Sequence, residues 1–283
     1  MSDQTVTPEL RAWIVEQAQA GCAPETILAG MRASGWDDAT AVTALEATLR
    51  AHLRAVAAEP PLPPALAVPE LALAHGQTLL RAGDREVAVL AALARPRVVV
   101  LGGLLDDGEC DALIAAAAPR LARSETVDHA TGGSGVNAAR TSRGMFFERG
   151  ETPLAARIEA RIAALLNWPV ERGEGLQVLH YPPGAEYRPH YDWFDPAQSG
   201  MAGVLARGGQ RVATLVIYLN TPSRGGATVF PDIGLDVMPV KGNAVFFSYD
   251  RPHPASKSLH GGAPVVEGEK WVATKWLREG EFR

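Results

Sequence analysis

Apolar positions follow a helical period at the start of this chain and a strand period towards its end. Over residues 7–57 they recur three to four apart, which gives a helix one apolar face. Thr7-Pro8-Glu9 reads as a helix start, with a hydroxyl cap and a proline in the first turn, and Leu10, Ile14 and Ala18 continue the stripe to a stop at Gly21. A second helix, PETILAGMRASG, ends at Gly35. A third follows an aspartate cap in WDDATAVTALEATLRAHLRAV, with Val42, Leu45, Leu49 and Leu53 expected on one face. Residues 58–70, AEPPLPPALAVPE, have no such period. Their prolines predict a semi-rigid linker between a helical module at 1–57 and a larger domain at 71–283.

Beyond the linker, GQTLLRAGDREVAVLAAL predicts a hairpin turning at Gly83-Asp84, and RVVVLGGLL a strand. DDGECDALIAAAAPRLARS reads as a capped helix. ETPLAARIEARIAALLN reads as another, capped by Thr152 with Pro153 in its first turn and Leu154, Ile158, Ile162 and Leu165 on its apolar face. From residue 176 short β-rich runs separated by glycine and proline turns take over: LQVLHY, RVATLVIYLN, ATVF, LDVMPV, NAVFFSY, SLHGG and KWVATKWLRE. This spacing predicts an all-β barrel or sandwich here, not a parallel α/β sheet. The sequence has neither an internal repeat nor a glycine-rich phosphate loop.

Composition narrows the function classes. A hydrophobic fraction of 47% and a charged fraction of 21% over 283 residues are those of a globular protein. The net charge of −5 gives no overall basic footprint, so nucleic acid is not an expected partner. No apolar run reaches the roughly 18–20 residues that span a bilayer, and the N-terminus lacks the basic and apolar regions of a secretion signal. Cys22 and Cys110, each in a predicted helix, do not form a disulfide framework; the expectation is a cytoplasmic protein with buried thiols.

The candidate chemistry begins in YRPHYDWFDP, residues 187–196. Side chains at i and i+2 of a strand point the same way, so His190 and Asp192 would aim an imidazole and a carboxylate at one point. One more histidine would complete a two-His, one-carboxylate facial triad, which leaves open positions on a non-haem Fe(II). Two later histidines are available: His253, between prolines in RPHPAS, and His260, in SLHGG. Ten residues after His260, Lys270 heads the last strong strand. A lysine buried there makes sense if it pairs with a ligand carboxylate.

Residues 97–280, roughly two thirds of the chain, resemble the prolyl 4-hydroxylase family of Fe(II)- and 2-oxoglutarate-dependent dioxygenases. The matching pieces occur in the family's order: PRVVVLGGLLDDGECDALI, ARTSRGMF, LQVLHYPPGAEYRPHYDWF, RVATLVIYLNTPSRGGATVFP, PVKGNAVFF and SLHGGAPVVEGEKWVATKW. The resemblance implies an α+β fold, with a double-stranded β-helix (jelly-roll) core, supporting helices and the small N-terminal three-helix module. It implies Fe(II) held by His190, Asp192 and His260, with 2-oxoglutarate and O₂ as cosubstrates and ascorbate as a candidate reductant. Lys270 would bind the distal carboxylate of 2-oxoglutarate, helped by the Tyr181 hydroxyl, with Thr228 and Trp276 lining the same pocket. Arg140, Ser142, Glu174, Tyr187 and Arg211 match the peptide-binding mouth, and ATGGSGVNAAR, residues 130–140, a mobile loop that closes over substrate.

One position departs from the family. Members acting on proline-rich peptides often carry a histidine two residues after the tryptophan of KWVATKW, where this chain has Arg278. Strand parity puts Arg278 on the face of Lys270 and Trp276, pointing into the pocket, where a guanidinium would favour an acceptor or anion on the substrate. The expected activity is hydroxylation of a prolyl residue in a peptide or protein. A free amino acid or small metabolite is the rival substrate, and a non-catalytic Fe/2-oxoglutarate-binding regulator the rival function. MRASGWDDATAVTAL resembles ubiquitin-associated-type three-helix modules, which would make the N-terminal helices a candidate site for a protein partner.

Overall fold

A computed structural model of the chain describes residues 5–58, 61–127, 133–136 and 140–283. Most of the 130–140 loop expected to close over substrate lies outside these residues. The chain forms two compact units, Met1–Leu62 and Pro63–Arg283.

The first unit holds helices α1 (Pro8–Gln19), α2 (Pro24–Ala33) and α3 (Asp38–Ala58). Thr7 caps α1 by accepting from the Leu10 amide, and Asp37 accepts from the Thr40 amide at the start of α3. Ile14, Ile27, Met31, Ala41, Ala44 and Leu45 form its core. The expected α3 face is only partly right: Leu45 is buried, whereas Val42 and Leu53 are exposed. The helix packs through Ala41 and Ala44, whose small side chains allow close approach. Cys22 lies in the turn between α1 and α2 and not in a helix, and both cysteines are free thiols.

The second unit opens with β1 (Leu79–Ala82), β2 (Arg85–Leu93) and β3 (Arg97–Gly102). Helix α4 (Asp107–Ala117) leads to β4 (Ala122–Arg123), β5 (Glu125–Val127), β6 (Ser134–Val136) and β7 (Arg143–Phe147). Helix α5 (Pro153–Leu166), capped by Thr152, leads to β8 (Leu176–Tyr181) and β9 (Tyr187–His190). The short α6 (Met201–Leu205) precedes β10 (Arg211–Tyr218), β11 (Arg224–Gly225), β12 (Thr228–Phe230) and β13 (Leu235–Val237). The last strands are β14 (Ala244–Ser248), β15 (His260–Gly262), β16 (Val265–Glu267) and β17 (Lys270–Arg278).

This is a mixed helix and sheet fold dominated by a large antiparallel sheet. Nine strands run in the order β1-β2-β3-β14-β10-β17-β8-β7-β4, and four more form a smaller sheet, β13-β12-β15-β9. The central strands β10, β14 and β17 are buried along almost their whole length because both faces are covered, and the period of two shows which residue faces which way. Leu176, Val178, Leu215, Ile217, Phe246 and Ala273 join Leu113, Ile158 and Ile162 of α4 and α5 in one core. Their alternates Leu179, Tyr181, Val216, Tyr218, Phe247 and Val272 join Phe230 and Val237 of the smaller sheet in a second. Arg161 of α5 fastens the helical side. It donates to Glu109 of α4 at 2.7 and 2.8 Å and to Asp84 in the β1–β2 turn at 2.8 Å.

Candidate active site

The smaller sheet and the inward face of β8, β10 and β17 line one pocket. Antiparallel pairing of β9 with β15 sets His190 opposite His260, and Asp192 follows just past the end of β9. Asp192 is therefore delivered by the turn beyond the strand, and not by the strand parity expected. One ligand atom from each of His190, Asp192 and His260 lies within 4.8 Å of the others, the geometry of a group that could hold a metal ion.

Backbone contacts orient both rings. His190 Nδ1 lies 2.9 Å from the Arg188 carbonyl and His260 Nδ1 2.9 Å from the Ser258 carbonyl. A carbonyl oxygen only accepts, so each Nδ1 carries the proton and each Nε2 presents its lone pair. Those Nε2 atoms stand 3.6 and 3.4 Å from the two oxygens of Asp192. Tyr187 stacks on His190 at 3.7 Å between centroids, and Phe247 sits against His260 at 4.5 Å. Burial opposes ionisation of Asp192, but the neighbouring imidazoles and Arg211 outweigh it and hold the carboxyl well below the usual range. Burial pushes His260 down to about 4, keeping it neutral and able to ligate.

Lys270 lies elsewhere in the same pocket, 4% exposed, with no anionic or hydrogen-bonding partner among the described residues. Burial lowers its ammonium to about 8. Register pairs Lys270 with Tyr181, and Nζ lies 5.6 and 5.8 Å from the ring centroids of Tyr181 and Tyr218. Thr228 is buried here and accepts from the Tyr218 hydroxyl at 2.8 Å. Trp276 lines the same pocket, and its buried Nε1 donor has no hydrogen-bond partner among the described residues. An unpaired ammonium and an unpaired indole N–H suit an anionic, hydrogen-bond-accepting ligand.

The remaining sequence-predicted residues divide into two groups. Arg140 and Tyr187 line the pocket; the Arg140 guanidinium lies over the Tyr187 ring at 4.8 Å and donates to Gln177 at 3.0 Å. Ser142, fully buried, is hydrogen-bonded to Ser124 and is not part of the lining. Glu174, Arg211 and Arg278 form a buried network beside it. Glu174 accepts from Arg211 at 2.6 and 2.8 Å and from Arg278 at 2.7 Å. Burial opposes the Glu174 charge, yet the two guanidinium groups keep its carboxyl below the ordinary value. The Arg211 guanidinium lies over the Trp276 ring, 3.9 Å from its centroid. The Arg278 guanidinium, expected to point into the pocket, instead donates to Glu174 and to the Gly209 carbonyl at 2.7 Å. It sits where β17 leaves the pocket, among backbone carbonyls.

Sequence reasoning missed Thr214, Val216 and Tyr218 on β10 and Thr274 on β17. The signal was available: hydroxyl side chains alternating with aliphatic ones inside apolar strands mark an inward polar face. A larger cleft, of about 890 Å³, lies in the N-terminal unit between α1 and α3; alanine is the commonest residue of its lining, and among the described residues no group of potential metal ligands converges there.

Residues 176–278 match the family model of the 2OG-Fe(II) oxygenase superfamily. Prolyl 4-hydroxylase 5 of Arabidopsis thaliana is 41% identical over 222 residues, covering 71% of this chain and 74% of that protein. Prolyl 4-hydroxylase 2 of the same plant is 40% identical over 212 residues, covering 67% and 69% respectively. Among solved structures, the 2OG complex of a viral collagen prolyl hydroxylase from Paramecium bursaria Chlorella virus-1 is 30% identical, with a TM-score of 0.49, covering 64% of this chain and 95% of that one.

Proposed function

From the premise that this chain belongs to the prolyl 4-hydroxylase family of 2OG-Fe(II) oxygenases, and so is an Fe(II)- and 2-oxoglutarate-dependent dioxygenase, we propose that it hydroxylates a prolyl residue in a peptide or protein. His190 and His260, through Nε2, and Asp192 are the proposed iron ligands, within a double-stranded β-helix formed by the two sheets. The observation that carries the site assignment is Lys270, a buried cation with no counter-ion among the described residues, in the pocket that also holds the three ligating groups.

When bound, the iron supplies the oxidative chemistry that couples decarboxylation of 2-oxoglutarate to C–H hydroxylation. The chain's own residues do the positioning. Lys270 pairs with the distal carboxylate of 2-oxoglutarate and stops it from rotating, between Tyr181 on one side and the Tyr218–Thr228 hydrogen bond on the other. Trp276 offers its unpaired N–H to the same ligand. Arg140 and Tyr187 form the wall nearest His190, where a substrate ring would lie. Glu174, Arg211 and Arg278 support the Trp276 side of the pocket, since Glu174 fixes Arg211 and Arg211 backs Trp276.

A reducing, cytoplasmic setting is part of the proposal and agrees with the two free thiols. Protein recognition by the N-terminal helices is likewise a proposal.

The test is a screen of proline-containing peptides and free amino acids with Fe(II), 2-oxoglutarate and O₂. The expected product is a peptide heavier by one oxygen atom, formed in step with succinate, and Asp192→Ala should lose at least about a thousandfold in turnover. Turnover retained in Asp192→Ala would refute the metal assignment. Oxidation of free amino acids but of no peptide would overturn the substrate assignment alone.

A further inference from the structure

The two oxygens of Asp192 are not equivalent. Oδ2 accepts a hydrogen bond from Thr214 Oγ1 at 2.6 Å, and Thr214 Oγ1 lies 2.9 Å from the Tyr249 hydroxyl. Oδ1 lies 3.6 Å from His190 Nε2, and Oδ2, besides accepting from Thr214, stands 3.4 Å from His260 Nε2. All three residues of the relay are buried, with exposures of 1% for Thr214, 2% for Tyr249 and 5% for Asp192. Proton counting fixes its direction. Thr214 has one hydroxyl proton and commits it to the carboxylate, so Tyr249 must be the donor to Thr214.

The relay lies where the backbone gives Asp192 least support. His190 and His260 sit in a paired ladder, whereas Asp192 lies past the end of β9. Thr214 belongs to the centre of β10, held on both sides by β14 and β17, and Tyr249 follows β14 directly. The hydroxyl chain thus anchors a turn residue to the middle of the large sheet. We propose that Thr214 and Tyr249 are positioning residues that occupy Asp192 Oδ2 and present Oδ1 to the metal, so that Asp192 supplies one ligand atom and not two. A carboxylate bound through both oxygens would take a coordination position needed by cosubstrate. The inference rests on the His190–Asp192–His260 assignment.

The test uses the full chain with Co(II) as a spectroscopic metal, reading the dissociation constant and the visible d–d absorption, which depends on coordination number. Thr214→Val, which keeps the side-chain shape but removes the donor, should weaken Co(II) binding by about tenfold and alter the spectrum. Thr214→Ser should restore both. Tyr249→Phe should weaken binding by about threefold, with no further loss on combining it with Thr214→Val, because both cut one chain of donors. Thr214→Val binding Co(II) within about twofold of the parent, with an unchanged spectrum, would overturn the proposal. If that variant does not fold, Tyr249→Phe carries the test, and unchanged affinity and spectrum there overturn it equally. Asp192→Ala separates the two levels: Co(II) binding retained in that variant removes the metal assignment itself, whereas binding lost there but unaffected by Thr214→Val removes only the relay.

Discussion

Lys270 brings an ammonium into a buried place where the described residues give it no counter-charge, and this shapes how the enzyme responds to pH. Its ammonium titrates near 8 in the folded chain, against an ordinary 10.5. An unfolded lysine keeps the ordinary value, so between about pH 8 and 10.5 the unfolded state binds more protons and the ligand-free fold gains stability as pH rises. Cosubstrate binding at the proposed site runs the other way, because only the protonated lysine pairs with a carboxylate. Affinity for 2-oxoglutarate should be level below about pH 8 and fall above it, by up to about tenfold per pH unit, as measured by calorimetry. An affinity unchanged up to pH 10 would remove Lys270 from the cosubstrate site. The candidate ligand set, which the structure brings together, was legible at this scale because each residue type carries its own chemistry: His190 with Asp192, then His260 ten residues before Lys270. Arg278 was not legible in the same way. Parity gives the face on which a side chain starts, but Glu174 and the Gly209 carbonyl decide where its long stem ends.

At the scale of elements, the geometry of the proposed metal site depends on how closely β9 approaches β15. A Cβ added at Gly261 would lie 2.8 Å from the Tyr187 carbonyl oxygen and 3.0 Å from the Pro189 nitrogen, both rigid backbone. Gly261→Ala should therefore push β15 away from β9 and spread the two imidazoles, weakening Fe(II) binding by at least about tenfold. Gly203→Ala, where an added Cβ meets nothing within 4 Å, should stay within about twofold in the same titration. Equal affinities for both variants would contradict the role given to this strand pair. Helix starts at Thr7 and Thr152 and the hairpin at Gly83-Asp84 could be read in advance because one local residue decides each. The buried face of α3 could not, because alanine carries little hydrophobic signal although it permits the closest packing. Asp192 followed the same lesson, since a two-residue parity holds only while the strand continues.

At the scale of the whole molecule, the two units have separate cores, and every group assigned to the chemistry lies in the second. Alternation over the central strands predicted its β-rich character, and the order of motifs pointed to the family. The division of strands between a nine-stranded and a four-stranded sheet was out of reach, because pairing between strands far apart in sequence is not carried by any local run of residues. That pairing is what brings His190, His260 and Lys270 into one pocket from three separate segments. The most direct measurement is anomalous diffraction at the iron edge from crystals of the full chain grown without oxygen, with Fe(II) and an unreactive 2-oxoglutarate analogue. The account predicts one iron peak within about 2.0–2.2 Å of His190 Nε2, His260 Nε2 and a single oxygen of Asp192, with the distal carboxylate of the analogue on Lys270 Nζ. An iron peak away from these three side chains, or an analogue carboxylate that leaves Lys270 unpaired, would contradict it.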